Sequence, residues 1–154
     1  MSIRVLAMLV AMMVPCGFAA AVDYTSEYTR TDAVNMVEKA AAFLLANGKD
    51  KFIAEVNVKA GRFHQGELYV YVTDLAYTIL AHPVNPKLIG QYIVDVPDVD
   101  GKLYRKEIVA VAKTKGHGWV DYKYKNPVSG KVEPKSSYLS KAGDLIIVCG
   151  IYRP

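Results

Sequence analysis

From Gly116 to Tyr138 the chain reads GHGWVDYKYKNPVSGKVEPKSSY, and no other stretch restricts the fold as much. In an extended strand successive side chains alternate between faces, so Val120, Tyr122 and Tyr124 fall on one side and Trp119, Asp121 and Lys123 on the other. Asn126-Pro127 and Ser129-Gly130 are turn dipeptides, and the proline after Glu133 keeps that residue out of helix. A long hairpin follows, with its returning strand predicted from Lys135 to Leu139. The rings and lysines of this stretch admit two readings: walls and cations of a pocket for a small anion, or buried core and solvated surface. Spacing alone leaves both open.

The flanks supply the remaining elements. Val34, Val37, Ala41, Leu44 and Leu45 recur at helical spacing, broadened by Met36, Ala40 and Phe43, so a helix is predicted from Thr31 to Ala46. Thr31 or Asp32 would cap its start, Asn47-Gly48 would end it, and it is expected to reach back toward Tyr24. A second, short helix from Asp50 to about Val58 would bury Phe52, Ile53 and Val56. Leu68 to Thr73 alternates, with Leu68, Val70 and Val72 facing away from Tyr69 and Tyr71; a reversal at Asp74 to Ala76 returns the chain as Tyr77 to Ala81. Asp98 to Gly101 is a turn before a helix from Leu103 to Lys115 that buries Tyr104, Ile108, Val111 and Ala112. Leu145 to Tyr152 is apolar throughout, as a central strand covered on both faces would be. These elements make an α+β domain: an antiparallel sheet with helices packed on one face.

The stretch GHGWVDYKYKNPVSGKVEPKSSYL, with GELYVYVTD, AHPVNPKLIG, DVDGKLYRKEIVAVAK and DLIIVCGIY, resembles the single Cache domains of bacterial extracytoplasmic sensing, in the order that family uses. The resemblance covers nearly all of the chain after its first two dozen residues. It departs from the family at Leu75-Ala76, where an Asp-Gly type turn is usual, which leaves the register of that hairpin open. It implies a PAS-like sheet with a long N-terminal helix, and a ligand cavity between the sheet and a layer of loop and helix. It also places the irregular segment with His82-Pro83 and Asn85-Pro86 over that cavity.

Before this domain, Met1 to Arg4 is a short positive segment, Val5 to Val14 is apolar, and Ala19-Ala20-Ala21 has the small-residue pattern of a signal-peptidase site. Residues 1–21 are therefore read as a signal peptide and 22–154 as one Cache domain, periplasmic or secreted; an uncleaved membrane anchor is the alternative. Cleavage would remove Cys16, leaving Cys149 alone in an apolar strand as an inert thiol, and would lower the net charge from +4 to +3 through loss of Arg4. Lysines this scattered make no nucleic-acid stripe.

Catalytic and metal chemistry find little support. Asp98, Asp100, Gly101 and Glu107 match EF-hand positions, but Val96 stands where the first ligand belongs. His64, His82 and His117 lie in separate loops without zinc spacing, and there is no Cys-x-x-Cys-His, nucleophile elbow or phosphate-binding glycine loop. No enzyme activity, metal or cofactor is expected. The expectation is a noncatalytic domain binding a small organic ligand, a short-chain carboxylate above all.

Fixing a carboxylate in a dry cavity takes a cation or several donors, and rings with hydroxyls enclose the rest. The candidates are Tyr69, Tyr71, His82, Trp119, Tyr122, Lys135, Ser137 and Tyr138. Lys135 is the chosen anchor because KSSY most resembles the family's binding-side strand; Arg105 comes second, as a residue equally suited to solvent. Trp119 and Tyr122, at odd separation, cannot both face one cavity unless the strand bulges. Tyr77, Tyr92 and Tyr124 are assigned to packing or rim. Since the chain stops soon after the last strand, signalling would need a membrane receptor or sensor kinase as partner. The competing reading is an interaction domain whose cavity is filled by its own side chains, dimerising through the N-terminal helix.

Overall fold

The computed structural model describes residues 26–153, so the leader read at residues 1–21 lies outside them. Three helices and six strands follow in the order α1 (Arg30–Asn47), α2 (Lys49–Val56), β1 (His64–Gln65), β2 (Leu68–Asp74), β3 (Ile79–Ala81), α3 (Tyr104–Lys115), β4 (His117–Lys125), β5 (Val132–Ala142) and β6 (Leu145–Tyr152). The strands form one antiparallel sheet ordered β1-β2-β6-β5-β4, with β3 also on β2. This is the expected α+β, PAS-like antiparallel sheet with a long N-terminal helix.

The layers correct one expectation. A strand buried along its whole length, as β6 is, requires cover on both sides. Leu145, Ile147, Cys149 and Ile151 pack with Leu68, Val70 and Val72 under α1 and α2, while Ile146 and Val148 pack with Tyr69, Tyr71 and the Ile108 side of α3. The helices are therefore divided between the two faces and not gathered on one. The second face is the one that carries the site.

Local chemistry explains the remaining shifts. Helix α1 starts at Arg30 because Thr29 caps it: Thr29 Oγ1 accepts from Asp32 N, and the Asp32 carboxylate accepts from Thr29 N, in a capping box. Residues 26–29 are not helical, so the expected extension toward Tyr24 fails as far as it can be followed. The buried stripe of α1 is Ala33, Met36, Val37 and Ala40; Leu45, five residues past Ala40, falls off that stripe and is exposed. The returning strand β5 is longer than predicted, running from Val132 because all nine residues of β4 find partners on it. Conversely β3 is shorter than predicted: Tyr77 takes a positive φ of 71°, and the Asp74 carboxylate accepts from the backbone N–H of Ala76 and Thr78, so the reversal extends past Tyr77.

Candidate functional site

The β2 alternation sends Tyr69 and Tyr71 to the α3 side of the sheet, and β4 adds Tyr122 and Tyr124. The reversal before β3 adds Tyr77, the segment after it His82, and the first turn of α3 contributes Tyr104 and Arg105. With Ile79, Leu88 and Ile93 these residues line a cavity whose space open to a water's centre is about 10 Å³. That is room for about one water. The rings hold each other closely: Tyr104 stacks on Tyr122 at 3.8 Å and 4°, and Tyr71 on His82 at 5.5 Å.

Arg105 is the cation on this wall. Its residue is only 6% exposed, its guanidinium lies 4.3 Å from the Tyr104 ring, and its Nη1 donates to the Val96 carbonyl. Among the described residues its buried Nε has no hydrogen-bond partner. An unpaired buried donor on a charged group is costly, and an anion is the partner it fits. Outside the wall an open depression of about 310 Å³, lined also by Pro97, Asp98, Val99, Lys123 and Lys125, shares Tyr104, Arg105 and Tyr124 with the cavity. Those three side chains therefore separate the cavity from solvent.

The other polar groups are hydroxyls and one imidazole; Tyr71 Oη and Tyr77 Oη bond each other at 3.1 Å. Burial pushes the hydroxyls of Tyr69, Tyr71, Tyr77 and Tyr104 up, and that of Tyr122 to about 12, so all keep their protons at neutral pH. Burial, then the Lys135 charge, pulls His82 down to about 3, so its ring is neutral. Because His82 Nδ1 accepts from Asn85 N at 3.0 Å, Nε2 carries the hydrogen and is a donor.

Of the eight candidates from the sequence, Tyr69, Tyr71, His82 and Tyr122 line the cavity together. Lys135 and Ser137 occupy the same face but stand one layer behind: Lys135 Nζ donates to Tyr69 Oη, and Ser137 Oγ pairs with Tyr122 Oη at 2.9 Å. Trp119 and Tyr138 lie opposite each other on the α1 face, 5.4 Å apart, where Arg30 sits over the Trp119 ring. The parity of β4 had allowed only one of Trp119 and Tyr122 into the cavity; that one is Tyr122. Trp119→Ala should therefore lower stability by about 1–3 kcal/mol, as a half-buried ring does, without changing affinity at the cavity. Loss of binding, seen in a folded variant by titration, would put the site on the wrong face.

Sequence reasoning had set Tyr77 and Tyr124 aside as packing or rim, and had allowed Arg105 to be solvated. The missed signal was its spacing: Arg105, Ile108 and Ala112 follow i, i+3, i+7, and all three are buried. The Asp98 carboxylate is likewise occupied, accepting from the N–H of Asp100, Lys102 and Lys123 as the pin of a turn.

Residues 26–153 match the family model described as single Cache domain 2. The chain belongs to that family. This Cache domain is 33% identical over 97 residues to the methyl-accepting chemotaxis protein McpP of Pseudomonas putida, covering 62% of the chain and 18% of that protein. It thus spans less than a fifth of that relative's length. Two solved structures share its fold at a TM-score of 0.61: a periplasmic sensor domain of a chemotaxis protein, 27% identical, and a Cache chemosensory domain studied for carboxylic acid recognition, 26% identical. Each match covers 79% of this chain and 88% and 86% of the other chain, respectively. A methyl-accepting chemotaxis protein from Vibrio parahaemolyticus superposes at a TM-score of 0.68 with 20% identity over 79% of the chain and 86% of its own, and shows the fold alone. Cache domains are extracytoplasmic sensor domains. Among the described residues no helix is long and apolar enough to cross a membrane.

Proposed function

We propose that this Cache domain is a noncatalytic, extracytoplasmic receptor for a short-chain carboxylate, released by its leader and acting on chemotaxis or related signalling through a membrane-bound partner. The observation that carries the reading is the buried Arg105 guanidinium with its unpartnered Nε, on a wall otherwise made of tyrosine hydroxyls and a neutral His82. One cation and several hydroxyl and imidazole groups around a small, ring-lined space suit a single carboxylate with a few carbons. The resemblance to a carboxylic acid-recognising Cache domain supports the same class. In this geometry Arg105 is the direct anchor, and Lys135 acts from behind Tyr69.

A space of about 10 Å³ is too small for acetate. Binding therefore requires a ring to move, and Tyr104 is placed to do so, since it stands between the cavity and the outer depression. The same tightness favours a second reading, an interaction domain whose tyrosines fill their own cavity. Thermal unfolding against acetate, propionate, pyruvate, lactate, larger dicarboxylates, amino acids and amines separates the two. A bound carboxylate at a hundred times its Kd should add roughly 2.7 kcal/mol and raise the midpoint by several degrees. A flat response across the panel would support the filled cavity and direct the search to a protein partner.

A further inference from the structure

Behind the tyrosine wall stands a lysine that direct ligand contact does not use. Lys135 is 0% exposed. The register Ser137↔Gly150 and Lys135↔Tyr152 lays its chain along the notch left by Gly150, where even a Cβ would come within 2.7 Å of Lys135 Cε. Its Nζ donates to Tyr69 Oη at 3.0 Å and to Tyr152 Oη at 3.3 Å, and lies 4.2, 4.6 and 5.6 Å from the ring centres of Tyr69, Tyr152 and Tyr124. Among the described residues no carboxylate is bonded to it. Glu67, also fully buried, accepts from Asn126 Nδ2 at 2.8 Å through Oε2, and among the described residues its Oε1 has no partner.

An ammonium buried without a counter-ion is costly, so the amine form competes with it. Burial pulls Lys135 down to about 7, with Cys149 and Glu67 opposing. The groups facing it from the neighbouring elements are Tyr69 on β2, Tyr122 and Tyr124 on β4, Cys149 and Tyr152 on β6, and Glu67 ahead of β2, with His82 and Arg105 beyond Tyr69. Burial moves the tyrosines and the Cys149 thiol up, the latter to about 12, and His82 down to about 3. Burial brings Lys135, by contrast, into the neutral range.

Tyr69 joins the two compartments, because it lines the cavity and bonds Lys135. A hydroxyl has one hydrogen and two lone pairs, an ammonium only hydrogens, and an amine also a lone pair. While Lys135 is an ammonium it must donate to Tyr69, so the Tyr69 hydrogen is available to an acceptor in the cavity, in competition with the neighbouring Tyr152 Oη, whose own hydrogen goes to the Lys125 carbonyl. Once Lys135 is an amine it can accept that hydrogen, and Tyr69 turns a lone pair to the cavity instead.

We propose that anion binding in the tyrosine cavity is coupled to uptake of one proton by Lys135, with Tyr69 reversing its hydrogen bond so that its hydroxyl becomes a donor to the ligand. The inference rests on the carboxylate reading above. The balance is one carboxylate and one solvent proton taken up per site, leaving Lys135 as ammonium. The sign follows: an anion nearby raises the lysine's affinity for its proton, so carboxylate affinity is full below about pH 6. Above about pH 7 it declines, by at most about tenfold per pH unit, until the bound-state value is passed.

The test is calorimetric titration of propionate into the full chain at pH 6.5, 7.5 and 8.5, each in two buffers of different ionisation enthalpy. The expected result is affinity falling severalfold across the series, with a fraction of a proton taken up at pH 7.5. Lys135→Met should bind with the weaker affinity at every pH and take up no proton, and Tyr69→Phe should lose the uptake as well. Carbon NMR of the lysine Cε in the unaltered chain reads the same event without a variant: one lysine should titrate near neutrality and shift upward with propionate. Propionate binding with no proton uptake and a flat pH profile would overturn the coupling while leaving the carboxylate reading intact. Failure of every carboxylate in the panel to bind would remove that reading and the coupling with it.

Discussion

Arg105→Met is expected to lower affinity for the bound carboxylate by roughly thirtyfold to a few thousandfold, since truncating one partner of a buried, hydrogen-bonded charge pair typically costs about 2–5 kcal/mol. Folding should suffer far less. The variant removes a buried guanidinium whose Nε is unpaired and fills its place with an apolar chain of similar length, at the loss of one hydrogen bond to the Val96 carbonyl. Arg105→Lys should not restore binding, because a lysine ammonium lacks the planar fork that can hold Val96 and a carboxylate together. Calorimetric titration decides the matter. Unchanged affinity in the methionine variant would take Arg105 out of the site and return the anchor to Lys135.

Gly150→Ala is expected to destabilise the domain by about 1–3 kcal/mol, the usual cost of overpacking a close-packed interior, and so to lower the unfolding midpoint by about 4–12 °C. Gly150 does not take a positive φ, so the cost is one of space and not of backbone conformation. The added methyl would overlap Ser137 Oγ, press on Lys135 Cε at 2.7 Å and approach the Ser136 carbonyl at 3.1 Å. Because Ser137 Oγ is the nearest obstacle, the double variant Ser137→Ala/Gly150→Ala should recover part of the loss, a coupling that independent sites would not show. An unaltered midpoint in Gly150→Ala would mean that β5 and β6 are not held as closely as the notch requires.

The two strands that carry the site were legible for different reasons. Period-two alternation in Leu68 to Thr73 separates Tyr69 and Tyr71 from the α1 side without any knowledge of partners, and the structure follows it. The same rule applied to β5 would have separated Tyr138 from Lys135 and Ser137, since an odd step changes face; the KSSY resemblance outweighed it. Strand β6 announced its double cover through an unbroken apolar run, yet helices on one face only were expected, because amphipathic helices do not state which side of a sheet they take. The cation on the wall was the least legible. Arg105 lies on the buried stripe of α3 by spacing, but an arginine is so often at the surface that only the tertiary fold, which lays the 96–103 loop over it, shows it enclosed. Lys135 gave the reverse difficulty: its strand and face were readable, whereas its depth depends on Gly150 and on three rings from three different strands.

The most direct test of the account is a crystal structure with the short carboxylate that gives the largest thermal shift. Its carboxylate should lie within hydrogen-bond distance of Arg105 Nε and its carbon chain among Tyr71, Tyr77 and His82, with Tyr104 moved off the Tyr122 ring to admit it. A carboxylate bound elsewhere, or a cavity whose rings keep their 3.8 Å stack at saturating ligand, would contradict the account.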